Sequence, residues 1–219
     1  MSYGAVLAAV ARHLAAAYPD APPTALAAAA GARPDPFRVL VSTIISTRTK
    51  DTVTAVASGR LLDAAPDARR LARMTEARIA RLIYPAGFYR TKAANLRATA
   101  RLLIERHDGG VPPGMDDLLT LPGVGRKVAN LVRGLAFGLD AICVDTHVHR
   151  ISNRLGWVAT RDPAGTEQAL MRKLPRRFWI VVNDLMVRWG QSVCTPLSPR
   201  CSGCPVVRLC PRRGVTRTR

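Results

Sequence analysis

Apolar residues recur about every 3.6 positions along almost the whole of this chain, which is the spacing of one face of an α-helix. This periodicity restricts the fold more than any other feature of the sequence. The dominant residues of the periodic segments, Ala, Leu and Arg, are strong helix formers. No alternating run bounded by hairpin turns occurs, so strands are not expected. The pattern predicts an all-α fold with short connections.

Turn-forming and capping residues divide the pattern into ten predicted helices. Pro36 falls in the first turn of the second helix, and Asp51 and Thr75 are expected to cap the third and the fourth. Pro- and Gly-rich breaks separate the periodic segments. The predicted helices cover residues 3–18, 36–48, 51–64, 75–84, 90–107, 114–120, 125–137, 146–155, 164–174 and 177–190.

The charge of the chain calls for a polyanionic partner. It has 33 Lys and Arg against 15 Asp and Glu, a formal net charge of +18. Such a charge destabilises a compact chain by self-repulsion. A basic proteome bias would explain why Arg outnumbers Lys, but it does not explain the shortage of acids. The composition therefore indicates nucleic-acid binding.

The hydrophobic content of 48% excludes a disordered chain. No stretch approaches the roughly 18 uninterrupted apolar residues of a membrane span, so we expect no membrane association. The N-terminal apolar run lacks a preceding basic region and is interrupted by Arg12 and His13. We therefore expect this run to form a helix of the folded protein rather than a signal peptide. The expected location of the protein is the cytoplasm.

Four of the five cysteines lie within the 17 residues 194–210, with the spacing C-x6-C-x2-C-x5-C. This clustering indicates a metal site in a reducing compartment rather than a disulfide framework. Zinc sites usually present two short knuckles, whereas a [4Fe–4S] cluster tolerates one C-x2-C with two longer arms. The spacing favours the cluster and leaves zinc open. The candidate ligands are Cys194, Cys201, Cys204 and Cys210.

The segment MDDLLTLPGVGRKVANLVRGLAFG predicts a helix, a tight turn and a second helix. Gly123 and Gly125 permit positive φ and close backbone approach, and the amides that follow form an anion site suited to a DNA phosphate. Lys127 lies in the first turn of the second helix, where the helix dipole favours a neutral amine. A neutral amine is a potential Schiff-base nucleophile, and simple phosphate contact is the alternative role.

Asp145 lies in the segment ICVDTHVHR, between a short apolar stretch and a helical pattern. The commonest role for an aspartate at such a position is the helix N-cap. The alternative role is catalytic, because a carboxylate can stabilise positive charge that develops at a sugar C1′ as a base departs. His147 and His149 diverge on a helix, and we interpret them as structural.

Three segments in this order, LPGVGRKVAN (121–130), VDTHVHR (144–150) and the cysteine loop (194–210), closely resemble the endonuclease III family of helix-hairpin-helix DNA glycosylases. The resemblance covers nearly the whole chain from PFRVLVSTIISTRTKD onward and favours [4Fe–4S] over zinc. It implies a two-lobed fold with DNA across the cleft between the lobes. One lobe would be a six-helix barrel, and the other an iron–sulfur cluster domain. The implied ranges are 29–139 for the barrel, about 114–137 for its helix-hairpin-helix motif, and 1–28 with 140–219 for the cluster domain.

The resemblance also implies roles for individual residues. Lys127 corresponds to the nucleophilic lysine of the family and Asp145 to its catalytic aspartate. Family members fill the gap left by a flipped base with side chains from two loops. Arg48 stands where one of these side chains is often Gln, so the chain departs from the family there, although Arg can still hydrogen-bond the orphaned base. Phe88 corresponds to the apolar wedge of the second loop. Arg200, between two candidate ligands, is expected to contact a DNA phosphate. The hairpin residues implied to bind DNA are Leu121, Pro122, Gly123, Val124, Gly125 and Arg126.

Together these matches imply a bifunctional DNA glycosylase/AP lyase of base excision repair that acts on oxidised pyrimidines. Its partner would be double-stranded DNA with damaged bases or abasic sites, and we expect a monomer associated with the nucleoid. One alternative is a mismatch or adenine glycosylase of the same superfamily, although adenine enzymes lack the nucleophilic lysine. Another is a non-catalytic DNA-binding iron–sulfur protein, which the joint presence of Lys127 and Asp145 disfavours.

Overall fold

The computed structural model describes residues 2–19, 24–31 and 34–219. Within these ranges the chain forms α-helices and two short 3₁₀ helices, Arg176–Phe178 and Val207–Leu209, and no strand. The all-α fold class is confirmed. The α-helices are α1 (Tyr3–Ala17), α2 (Ala25–Ala30), α3 (Pro36–Ser46), α4 (Asp51–Ala64), α5 (Ala68–Arg73), α6 (Glu76–Ile83), α7 (Tyr89–His107), α8 (Met115–Leu119), α9 (Arg126–Phe137), α10 (Thr146–Arg154), α11 (Pro163–Lys173) and α12 (Val181–Ser192).

Each predicted helix has an observed counterpart, but the sequence pattern missed α2 and α5. Both are six residues long, which is too short for an apolar period to stand out. The helix predicted at 36–48 ends at Ser46, because Arg48 adopts a left-handed conformation with φ of 51°. The helix predicted at 177–190 is replaced by a 3₁₀ turn followed by α12.

Side-chain caps fix the starts of several helices, among them α3 and α6. Asp35 Oδ1 accepts hydrogen bonds from the first amides of α3, where Pro36 occupies the first turn as expected. The predicted cap of α6 is confirmed, since Thr75 Oγ1 accepts from the Arg78 amide at 3.2 Å. The predicted cap by Asp51 is wrong. α4 begins at Asp51 itself, and Asp51 Oδ2 instead accepts from the Ala25 amide at 2.9 Å.

The chain divides into two compact units, Pro23–Leu139 and Met1–Pro22 with Asp140–Arg219. The expected first boundary, at residue 28, differs from this division because α2 packs against α3 and α4. The core of the Pro23–Leu139 unit is formed by α3, α4, α6, α7 and α9, with Leu40, Ile44, Leu61, Ile79 and Leu96 fully buried. The description of this unit as a six-helix barrel stays a prediction.

The second unit has its own apolar core, to which α1, α10, α11 and α12 contribute. Val6 and Leu14 of α1, Ile151 of α10, and Met186 and Trp189 of α12 are among its buried side chains. Cys194, Cys204 and Cys210 pack against this core. In the described part of the chain, none of the helices combines the length and apolar character that crossing a membrane requires.

Candidate functional site

The predicted hairpin is formed by α8, a tight turn and α9. The Val124 amide donates to the Leu121 carbonyl at 3.0 Å, and both side chains are buried as anchors of the turn. Gly123 has a φ of 80°, which favours glycine. A Cβ at Gly123 would also lie 2.9 Å from Asn95 Nδ2 and 3.3 Å from Asn95 Cβ. Two independent constraints therefore require glycine at this position.

The turn is also held from α7. Thr99 Oγ1 donates to the Pro122 carbonyl at 3.0 Å, and Thr99 is itself buried. A hairpin fixed by packing and hydrogen bonds presents its backbone with little conformational freedom left to lose on binding.

Lys127 is the second residue of α9 and its side chain is exposed. The N-cap residue, Gly125, provides no side-chain hydrogen bond to the helix start, and the first helical bond joins the Ala129 amide to the Gly125 carbonyl at 2.9 Å. The first amides of an uncapped helix are available to an anion. No described residue forms a hydrogen bond or an ion pair with the Lys127 amine. The hairpin thus combines an anion-binding helix start with an accessible amine.

Arg48 and Phe88 lie in two loops of the same unit, and the structure brings them together. Both have left-handed backbones, with φ of 51° and 57°. The Arg48 guanidinium lies 5.4 Å from the centroid of the Phe88 ring. Phe88 is 62% exposed, which excludes a core role for it. Both residues, together with Gly123 of the hairpin, line an open cavity of about 360 Å³.

Lys92, which no pattern in the sequence singles out, lines the same cavity. Its side chain is buried, and its amine donates to the carbonyls of Ile45 and Thr47 and to Thr49 Oγ1. Burial lowers the pKa of Lys92 to about 8. Its partners are mainly backbone carbonyls, which leave no pattern in a sequence.

Asp145 is the N-cap of α10, which is the commonest role of an aspartate at the start of a helix. Its Oδ1 accepts hydrogen bonds from the amides of His147 at 2.9 Å and Val148 at 2.8 Å. Both capping bonds converge on one carboxylate oxygen, so Oδ2 is not needed for the cap. Asp145 is half-buried, and capping therefore leaves an oxygen that is able to face a ligand.

The four clustered cysteines line one pocket with apolar walls that include Ile151, Leu155, Trp189 and Val206. All four are half-buried. Burial, together with the other three sulfurs, raises the pKa of the Cys204 thiol to about 11. Among the residues that the structure describes, no group of three or more His, Cys, Asp or Glu side chains is arranged to hold a metal ion.

Arg154 is a second residue that the sequence pattern did not reveal. Its guanidinium is buried and donates to Cys194 Sγ at 3.3 Å and to the carbonyls of Thr195 and Pro196. A buried cation requires nearby negative charge, which thiolate sulfurs can supply. Arg200 lines the same pocket and its side chain is exposed.

Comparison with known proteins gives consistent matches. A family model described as "HhH-GPD superfamily base excision DNA repair protein" matches residues 41–176. "Endonuclease III" of Thermotoga maritima is 46% identical over 176 residues, which cover 80% of this chain and 83% of that protein. "Endonuclease III homolog 1, chloroplastic" of Arabidopsis thaliana is 44% identical over 186 residues, 80% of this chain, which spans 48% of that protein's length.

A solved structure described as "Structure of a Trapped Endonuclease III-DNA Covalent Intermediate: Estranged-Adenine Complex" is 30% identical, with a TM-score of 0.80 over 97% of both chains. The helical fold and the hairpin thus define an HhH-GPD base excision DNA repair protein. Within that superfamily, the chain belongs to the endonuclease III family, as the three sequence segments indicated. This membership makes it a DNA glycosylase/lyase of base excision repair.

Proposed function

We propose that this chain removes damaged bases, with oxidised pyrimidines as the expected class, from double-stranded DNA and then cleaves the strand by β-elimination at the abasic site. The observation that carries the proposal is Lys127, an exposed amine in the first turn of α9 directly after the hairpin. An accessible amine at that position serves Schiff-base chemistry, which a glycosylase without lyase activity does not need.

The target nucleotide must leave the base stack, because C1′ cannot be attacked inside a duplex. The lone pair of Lys127 Nζ attacks C1′, and the glycosidic bond breaks with its electron pair moving to the departing base, which takes up a proton. The nitrogen then loses one proton, and the C1′–O4′ bond breaks as O4′ takes up a proton, which opens the sugar ring and gives a protonated Schiff base. This species acidifies the 2′ proton, whose removal expels the 3′ phosphate, and water then releases Lys127.

Asp145 carries two roles in this proposal. Its Oδ1 caps α10, and its carboxylate charge stabilises the positive charge that develops at the sugar as the base departs. The hairpin residues Leu121 to Arg126 hold the DNA backbone, and Arg200 contacts a further phosphate. Such contacts position the DNA without reading its sequence.

Arg48 and Phe88 occupy the gap that the flipped nucleotide leaves. The exposed ring of Phe88 serves as the wedge, and the Arg48 guanidinium donates hydrogen bonds to the orphaned base. Arg offers donors only, and guanine offers O6 and N7 as acceptors. We therefore expect a damaged pyrimidine to be removed faster opposite guanine than opposite adenine.

The endonuclease III family supports an iron–sulfur cluster in general. We assign a [4Fe–4S] cluster to Cys194, Cys201, Cys204 and Cys210, because their sulfurs share one apolar pocket and the buried Arg154 faces them. When bound to these four thiolates, the cluster would order the loop that carries Arg200.

A monomer suffices for this chemistry, and we place the enzyme on DNA in the cytoplasm. The test is single-turnover excision on duplexes that each carry one oxidised pyrimidine, one mismatch or one abasic site. We expect excision of the oxidised pyrimidine and a strand end produced by β-elimination. Base release with an intact strand, or activity confined to the mismatch, would contradict the proposal.

A further inference from the structure

Lys92 has an environment that few lysines share. Its side chain is 5% exposed, and burial of a charged amine is unfavourable unless its donors are all used. The amine donates to the Ile45 carbonyl at 2.6 Å, to Thr49 Oγ1 at 2.8 Å and to the Thr47 carbonyl. These acceptors use all three donors of an ammonium group. With a pKa of about 8, the charged form predominates at pH 7.

Two of these acceptors end a helix, and capping could explain them. The carbonyls of Ile45 and Thr47 lie at the C-terminus of α3, where a cation is favourable. The third acceptor has no such explanation. Thr49 Oγ1 also accepts from the Gly87 amide at 3.1 Å, so the hydroxyl joins the loop after α3 to the loop before α7.

The two loops that are joined in this way carry Arg48 and Phe88. They are in close contact, since a Cβ on Gly87 would lie only 2.2 Å from the Arg48 carbonyl oxygen. A left-handed backbone is unfavourable for a non-glycine residue and persists only where the surroundings enforce it. Arg48 and Phe88 both have such a backbone, one in each loop.

We propose that Lys92 and Thr49 form a clamp, with Thr49 Oγ1 as its link, that positions Arg48 and Phe88 as one unit to fill the gap in the DNA. The inference rests on the proposed function, because it concerns how that activity engages a duplex. Lys92 and Thr49 are positioning residues that act through the two loops, and neither needs to touch the reacting nucleotide.

The decisive variant is Thr49→Val, which keeps the shape of the side chain but removes the hydroxyl. It cuts the link between the loops and leaves Lys92 with both carbonyls at the end of α3. Thr49→Ser keeps the hydroxyl and should behave as the wild type. Thr54→Val is the matched control, because the buried Thr54 hydroxyl donates to the Lys50 carbonyl at 3.1 Å at the start of its own helix. Thr49→Ala is a second variant should valine not be accommodated.

Two measurements test the clamp. The first is single-turnover excision of an oxidised pyrimidine from a duplex. The second is the fluorescence of 2-aminopurine placed opposite a stable abasic analogue, which rises when that base is unstacked, with binding followed separately by anisotropy. We expect Thr49→Val to lose about tenfold in excision, the effect of one well-made hydrogen bond, and to lose most of the fluorescence rise at saturating protein.

Three results would overturn the clamp: excision and fluorescence at wild-type level in Thr49→Val, slower excision with an unchanged fluorescence rise, or an equal loss in Thr54→Val. A wild type that gives no fluorescence rise on binding would also overturn it. A wild type that binds and unstacks the base but excises nothing would instead refute the proposed function, and the fluorescence comparison would still test the clamp.

Discussion

Replacing Asp145 separates its two roles, because the structure assigns the cap to one oxygen. Asp145→Asn keeps Oδ1 as the acceptor for the His147 and Val148 amides but removes the charge. The lost interaction with the helix dipole costs about 0.3–1 kcal/mol. Asp145→Ala removes both capping bonds and costs about 0.5–2 kcal/mol. The expected order of stability is therefore wild type, Asn variant, Ala variant.

The excision rates of the wild type and the two variants should not follow this order of stability. Loss of an electrostatic contact in the transition state costs about 2.7 kcal/mol or more, which is at least about a hundredfold in rate. Both variants should lose excision to this extent. A stability loss of up to about 2 kcal/mol, in a protein stable by about 5–15 kcal/mol, leaves nearly every molecule folded. Instability alone cannot reduce the rate a hundredfold.

The assay pairs urea unfolding with single-turnover excision at saturating enzyme for the wild type and both variants. We expect Asp145→Asn to unfold almost as the wild type does while its excision falls about a hundredfold. If both variants excise at close to the wild-type rate while Asp145→Ala unfolds at a lower urea concentration, capping is the whole role of Asp145.

Three further predictions follow from the site. Purified protein should be yellow-brown with about four irons per chain, and one colourless zinc per chain would refute the cluster. Cys204→Ser should lose the colour, whereas Cys143→Ser, a change at the buried fifth cysteine outside the cysteine loop, should keep it. Arg200→Ala should reduce the slope of DNA affinity against salt by about one unit, and an unchanged slope would remove Arg200 from the interface. Arg48→Gln should reduce the ratio of the excision rate opposite guanine to the rate opposite adenine, and Phe88→Ala should slow excision opposite either base. Equal wild-type rates opposite guanine and adenine would exclude Arg48 as the residue that recognises the orphaned base.

Much of the helical architecture was predictable because its signals are local. Pro36 and Thr75 start helices through contacts within a few residues, and those signals are visible in the sequence. The prediction that Asp51 caps a helix was wrong because the observed partner of Asp51 is distant in the sequence. Its carboxylate accepts from the Ala25 amide, 26 positions away, and no local pattern encodes that contact. The short helices α2 and α5 have too few residues for a period to be read.

The residues of the candidate site also fall into two groups, those that local sequence indicates and those that only tertiary contacts reveal. Lys127, Asp145 and the four cysteines lie in contiguous segments whose residue types and spacing indicate chemistry. Lys92 and Arg154 were missed because tertiary packing brings their partners close. These partners are backbone carbonyls, a threonine hydroxyl and a sulfur. The contact of Arg48 with Phe88 depends on two left-handed loops 40 positions apart, and only the fold reveals it.

The central claim is that the Lys127 amine attacks the sugar, and borohydride trapping tests it most directly. Reduction of the Schiff base during turnover should covalently join the wild type to DNA, and mapping of the adduct should place it on Lys127. Lys127→Gln should give no adduct while still binding damaged duplex, and Lys173→Gln, a change at an exposed lysine of α11, should trap as the wild type does. Trapping of Lys127→Gln at the wild-type level, or an adduct on another lysine, would contradict the account.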